Sequence, residues 1–344
     1  MRKSQLFNAL YIAAFPVFGY GSYYGVKNGL SKGFIVMVAP FLAILLLHVI
    51  DAAYNRRLGR SIKPLFWLCM AYIGTLVLSQ VVALKNGIPG VETGNVIFSS
   101  LVYAAPFLAA MVVCAHNRHD PEFDFANTLF LALSALLAIN ILGYFGGVSA
   151  VGHSFEGRAN LPFLRGLYTG AHLLSIWALM LIVRIRHVAQ RPVATALAVL
   201  GLLVALYFML KVNSRLSTMI FLMLFVLFLT KAIKIAKGLY TISLFTLPLL
   251  LSFALLVYQV LSTPFFAAIL GRVDKEDVTS FNGRSYIWYA VGDWITNDRR
   301  GLIFGLGYKG HYTIRLFDEV ARLWGVPDSH NFHSHSTFAE VILA

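Results

Sequence analysis

Charge is what this sequence has least of. Asp, Glu, Lys and Arg together make up 12% of its 344 residues, about half the share of a soluble domain. Hydrophobic residues reach 58% and the mean hydropathy is +0.73. A soluble fold of this size has too much surface to cover for so few polar residues, and a disordered or coiled-coil chain needs far more of them. Cysteine is nearly missing as well. Cys69 and Cys114 both fall in apolar stretches with no CxxC pair, which excludes a disulfide scaffold and leaves them as packing residues. The 27 glycines and 11 prolines show no collagen period, and there is no internal repeat or low-complexity tract. Acidic residues are outnumbered, 15 against 28 basic ones, for a net charge of +13. The basic residues are scattered over many short loops rather than gathered on one segment, so nucleic acid is not the expected partner; membrane topology accounts for them better.

What is present is about 200 apolar residues, enough for nine or ten helices of roughly 20 residues each. The expected fold is all-α, a polytopic membrane helical bundle of about nine spans plus the start of a tenth. The spans read as Leu6–Tyr24, Gly33–Ile50, Pro64–Leu84, Asn95–Ala115, Ala126–Phe145, Gly166–Val183, Val193–Leu210, Leu216–Thr230 and Leu239–Val260. Arg2 and Lys3 before the first apolar run give it the look of a signal sequence, here a retained anchor because further spans follow. Counting Lys and Arg by loop parity puts thirteen on the side of the N-terminus, including Arg56, Arg57, Arg60 and Lys63. The short loops of the other side hold seven: Lys27, Lys32, Lys85, Arg158, Arg165, Lys211 and Arg215. The excess of positive charge places the N-terminus in the cytoplasm and everything after the ninth span outside. The expected organisation is a bundle over 1–260, an external loop over 261–335, and residues 336–344 as the start of a truncated tenth helix, since nine residues cannot cross a bilayer.

The external loop balances eight basic residues against eight acidic ones. Long loops of mixed charge between spans are folded more often than not, and they tend to carry function. Within it, Arg284–Ile295 has helical spacing, with Ile287, Val291, Trp294 and Ile295 on one face. Trp288, Trp294 and nearby tyrosines suit a helix at the membrane interface. The stretch Gly305-Leu306-Gly307-Tyr308-Lys309-Gly310 is formally GxGxxG, but no βαβ unit surrounds it, so it reads as a tight turn.

Three histidines, His330, His333 and His335, fall within six residues of this loop beside Asp328. They are open to three readings: surface residues where the chain re-enters the membrane, metal ligands, or a general base with a pKa of about 6.5. Their spacing matches no familiar zinc pattern. Arginines at membrane edges form a second group. Arg215 sits in the short outer turn Asn213-Ser214-Arg215, with Arg158 and Arg165 in the outer loop before it. Such residues commonly snorkel and anchor. Guanidinium groups on the side disfavoured for positive charge also suit bidentate binding of a diphosphate at headgroup level.

At these residues the sequence resembles the bacterial O-antigen ligase and O-antigen polymerase family (Wzy/WaaL-type). Asn282-Gly283-Arg284-Ser285-Tyr286-Ile287-Trp288 looks like that family's Gly-Arg-x-x-x-Trp or -Leu motif. Gly301-Leu302-Ile303-Phe304-Gly305-Leu306-Gly307 resembles its following Pro-x-x-Gly-x-Gly stretch, with Arg300-Gly301 where a proline is usual. His335-Ser336-Thr337-Phe338-Ala339-Glu340-Val341 is similar to its His-Asn-x-Tyr-Leu-Glu-Val element, and Ser214-Arg215 to a Ser-Arg pair at the start of an earlier span. Gly166-Leu167-Tyr168-Thr169-Gly170-Ala171 is a looser likeness to a Gly-Leu-Phe-x-Asn-Pro segment. Family members continue beyond the helix after the histidine, where this chain stops.

The resemblance implies a metal-independent glycosyltransferase of the multi-span GT-C type, without cofactor, in the bacterial inner membrane. Its donor is expected to be a glycan on undecaprenyl diphosphate, and its acceptor lipid A–core for a ligase or a second lipid-linked glycan for a polymerase. Arg215 and Arg284 are the expected stabilisers of the diphosphate leaving group and His335 the expected base. Arg158, Arg165, His330, His333 and Trp288 are expected substrate contacts. Two other classes compete: a transporter or flippase of lipid-linked or anionic solutes, and an inactive truncated membrane subunit. Transporters usually place ionisable groups at mid-membrane, whereas most mid-span positions here are apolar. His48 and His172, in or near spans, are expected to make one helix–helix hydrogen bond each.

Overall fold

The computed structural model describes residues 3–54, 64–88, 93–150, 159–164, 167–188, 190–212, 214–230, 284–298, 310–323, 325 and 329. Every regular element among them is helical. Eight helices follow the first eight expected spans closely: α1 Lys3–Asn28, α2 Leu30–Tyr54, α3 Pro64–Lys85, α4 Thr93–Asn117, α5 Phe125–Phe145, α6 Leu167–Val188, α7 Pro192–Val212 and α8 Arg215–Leu229. Two more come later, α9 Arg284–Asn297 and α10 Asp318–Leu323, with a 3₁₀ turn at Gly310–Tyr312. The expected ninth span, the GxGxxG stretch and residues 336–344 lie outside the described residues. Among the described residues, four helical stretches are long and apolar enough to cross a membrane: Leu30–Tyr54, Ser100–Asn117, Phe125–Phe145 and Pro192–Val212. Shorter apolar helices run over Met70–Lys85, Thr169–Ile185 and Ser217–Val226.

The chain divides into two compact units, one of Met1–Ile73 and Ile97–Thr230, the other of Gly74–Val96 and Lys231–Ala344. In the first, α1 and α2 form a hairpin joined by Gly29 alone, at φ 110°. Glycine adopts that angle without penalty and an L side chain rarely does. The legs then meet backbone to backbone. A Cβ on Gly33 would stand 2.3 Å from Gly25 Cα, and one on Gly21 2.7 Å from Met37 N. Such close approach is how helices gain dispersion contact where lipid removes the hydrophobic drive between them.

Around this hairpin lies one apolar cluster, with Phe7 and Tyr11 of α1, Phe41 and Ile44 of α2, and Val113 of α4. A second joins α5, α6, α7 and α8 through Leu137, Leu174, Phe208 and Phe221. On α7 the smaller Ala198 and Ala205 are buried while Leu200, Leu203 and Leu210 are exposed. That inversion of the soluble pattern is what a lipid-facing helix requires.

Side-chain pairs fix which helix ends lie together. Lys3 Nζ reaches Asp51 Oδ1 at 2.5 Å, Asn8 exchanges amide hydrogen bonds with Asn117, and Arg184 of α6 donates to Asn127 of α5. The start of α1, the ends of α2, α4 and α6 and the start of α5 therefore share one end of the unit, as alternating spans demand. α5 begins there on an N-cap, with Asp124 Oδ1 accepting from Ala126 N at 2.9 Å, which satisfies one orphan donor of the first turn.

In the second unit, Ile287, Val291 and Trp294 of α9 pack with Phe317 and Val320 around a small core. The helical face expected for Ile287, Val291 and Trp294 is therefore present. Trp294, however, is not an interfacial anchor: its ring is buried in that core and its indole N–H donates to Asp298 Oδ2 at 3.2 Å. His311, also buried, sits against Phe317 with ring centroids 5.0 Å apart.

Candidate functional site

The end of the first unit opposite Lys3 is built differently from the end just described. Between α5 and α6, the described residues 159–164 do not run over the surface there. Ala159, Leu161, Pro162 and Leu164 are buried, so this short segment is wedged among the helices. A buried loop must find partners for its backbone, and this one does. Ala159 N–H donates to Lys211 O at 2.9 Å. Phe163 N–H donates to Asn140 Oδ1 at 2.8 Å, and Asn140 Nδ2 donates to Leu136 O at 2.8 Å. Asn140 is 0% exposed. Room for the wedge comes from two glycines: a Cβ on Gly19 would meet Phe163 O at 3.3 Å and Leu136 Cδ1 at 2.6 Å, and one on Gly143 would meet the Phe163 ring at 2.9 Å. From sequence alone this stretch is expected to be part of an outer loop. Its signal was the apolar run Leu161-Pro162-Phe163-Leu164, too short to separate from the neighbouring spans by periodicity.

Lys211 lies in the last turn of α7, and after one further turn of chain α8 begins at Arg215. Ser214 is the N-cap with φ −92° and ψ 99°, yet its side chain makes no capping bond. Its hydroxyl lies 3.0 Å from Ser217 Oγ instead. Ser217 is 2% exposed and its Oγ also contacts His172 Nδ1 of α6 at 2.7 Å. From α6 again, Ser175 Oγ donates to Ala171 O at 2.8 Å and reaches Ser217 O at 3.3 Å. Each polar group finds its partner within an apolar bundle, where an unmade hydrogen bond is costly. The helix–helix hydrogen bonds expected of His172 and His48 are both present, the second running from His48 Nδ1 to His116 Nε2 at 3.1 Å.

Of the residues singled out from the sequence, Arg215 and Arg284 each occupy the first position of a helix, α8 and α9, and neither helix has an acidic residue in its first turn. Trp288 lies within α9. The side chains of these three, and the whole of Arg158, Arg165, His330, His333 and His335, lie outside the described residues. Neighbours of two of them are described: Ala159, next after Arg158, bonds to α7 four residues before Arg215. Among the described residues no group of three or more His, Cys, Asp or Glu is placed to hold a metal ion. Among the described residues, Ser217, Ser175 and Asn140 were not singled out from the sequence; the mark of Ser217 is its place two residues after Arg215. Compared with family models, with curated proteins and with solved structures, the chain matches none of them.

Proposed function

We propose that this protein transfers a glycan from undecaprenyl diphosphate to an acceptor hydroxyl at the outer face of the bacterial inner membrane, as an O-antigen or exopolysaccharide ligase or polymerase. In this reading the bundle is GT-C-like with nine spans and its N-terminus in the cytoplasm. The observation that carries the reading is the position of Arg215, directly after the N-cap Ser214 of α8, and of Arg284, the first described residue of α9. A helix N-terminus already carries partial positive charge, so a cation there is disfavoured on its own. A bound anion reverses the sign of that balance, and phosphate is the group such termini bind most readily. Two departures from helix-dipole preference, both inside Gly-Arg or Ser-Arg motifs, are the kind of local conflict that functional sites retain.

In the proposed reaction the acceptor oxygen attacks the anomeric carbon. The bond from that carbon to the diphosphate oxygen breaks, and its electron pair leaves on undecaprenyl diphosphate. His335 takes the acceptor's proton and passes it to solvent. Guanidinium groups holding the leaving charge in a partly dehydrated site supply the larger effect; the base adds about 10²–10⁴-fold. The acceptor, lipid A–core or a second lipid-linked glycan, decides between ligase and polymerase.

The test is His335→Ala in the full-length protein, expressed in a strain deleted for its gene. Loss of ligated or polymerised surface glycan at an unchanged membrane level is the expected result. Unattached polymer accumulating on the lipid carrier marks a ligase, and single repeat units mark a polymerase. Normal surface glycan in that variant removes His335 from the mechanism. Normal glycan in the deletion strain itself removes the function.

A further inference from the structure

We infer that His172 and Ser217 are positioning residues for Arg215, locking the first turn of α8 to α6 in a single register; this rests on the glycan-transfer reading of Arg215. Ser217 stands in the same turn as Arg215 and both of its polar groups are tied. Its hydroxyl contacts His172 Nδ1 at 2.7 Å and Ser214 Oγ at 3.0 Å, and its carbonyl is reached by Ser175 Oγ at 3.3 Å. Among the described residues, α6 and α8 also share an apolar cluster that includes Leu174 and Phe221. Apolar side chains in lipid hold helices together without fixing their register sharply, and the first turn of a helix is where fraying begins. The hydroxyl–imidazole contact supplies the missing register, because it exists at one relative height of the two helices only.

Core filling does not explain the choice of residues. His172 is exposed apart from its contact with Ser217, so a ring is not needed to fill space. A serine at the N-cap would ordinarily bond the backbone of the first turn, whereas Ser214 turns its hydroxyl to Ser217. Two hydroxyls flanking Arg215 are thus committed to holding its turn. Displacing a catalytic group by about 1 Å costs up to roughly 100-fold in rate, and removing a supporting hydrogen bond typically costs about 10–100-fold.

The contact uses Nδ1, which the side-chain amide of asparagine imitates in reach; the longer glutamine imitates Nε2. The experiment uses the full-length protein in proteoliposomes with an undecaprenyl-diphosphate-linked glycan donor. His172→Ala and Ser217→Ala are expected to lower kcat about 10-fold or more, with KM for the donor within about twofold. His172→Asn is expected to restore most of the rate, and His172→Ala to add nothing further on an Arg215→Lys background. Unchanged kcat in His172→Ala, full additivity with Arg215→Lys, or rescue by His172→Gln and not by His172→Asn overturns the inference.

A spin label at position 215, on Arg215→Cys with Cys69 and Cys114 replaced by serine, reads the same turn without any reaction. His172→Ala and Ser217→Ala should raise its mobility and His172→Asn should return it to that of the parent. Equal mobility in all of them overturns the positioning role whether or not glycan is transferred. The expected mobility changes in a protein that transfers nothing overturn only the transfer reading.

Discussion

The two ends of the first unit hold themselves together by different means. At the end of Lys3, side chains pair with side chains: Lys3 with Asp51, Asn8 with Asn117, His48 with His116, and Phe7 stacked on His116 with centroids 3.9 Å apart. At the opposite end, backbone is held directly. Gly25 meets Gly33, Asn140 holds Phe163 N–H, Lys211 O holds Ala159 N–H, and Ser175 reaches Ser217 O. Long side chains can re-form a pair after a small shift, because they have rotamers to spend. Backbone contacts have no such slack. The end that carries Arg215 is thus held through its backbone as well as through the side-chain contacts of Ser217 with Ser214 and His172, the kind of support on which a site that must hold charges in fixed places is best built.

The contrast can be broken from either side. The largest effect is expected for Gly33→Val, since the new Cβ would stand 2.3 Å from Gly25 Cα and no side chain is there to yield. A loss of about 3 kcal/mol or more, or failure to accumulate folded protein, should appear in detergent unfolding. Next comes Asn140→Leu, which keeps the branched shape of the side chain but leaves the part-buried Phe163 N–H without its acceptor. The expected cost is about 1–3 kcal/mol. Its counterpart Asn117→Leu should cost less, about 0.6 kcal/mol and at most about 1.7, the range found for side-chain pairs in bundles. Equal costs for the two asparagines would erase the distinction between the ends. Smallest is Asp51→Ala, which removes an ion pair whose lysine is 69% exposed. Its effect should stay under about 1 kcal/mol and shrink further in high salt.

Much of the bundle was legible because apolar runs of about 20 residues have only one common use in water-free surroundings. The first eight helices lie within a few residues of the expected segments, and where they run longer they extend into polar flanks. α1 continues through Lys27 to Asn28 and α2 restarts at Leu30, although the apolar pattern alone breaks at Tyr24 and resumes at Gly33. The wedge at 159–164 was not legible, since its burial depends on glycines at 19 and 143 and on Asn140, all far away in sequence. Trp294 misled for a related reason. An indole reads as an interfacial anchor when only its own helix is in view, and its true neighbours, Phe317 and Val320, come some twenty residues later. For the candidate site, the sequence picked out Arg215 and Arg284 and the helices that follow them; that α6 grips the turn of Arg215 through His172 and Ser175 was not legible, because those contacts join residues more than forty positions apart.

Gly29 has a further consequence for the two helices it joins. It is the sole residue between α1 and α2, and of the two only α2 is long and apolar enough to enter a membrane unaided. With no slack in the connection, the end of one helix and the start of the other must share one environment, and neither can be displaced along its axis without taking the other with it.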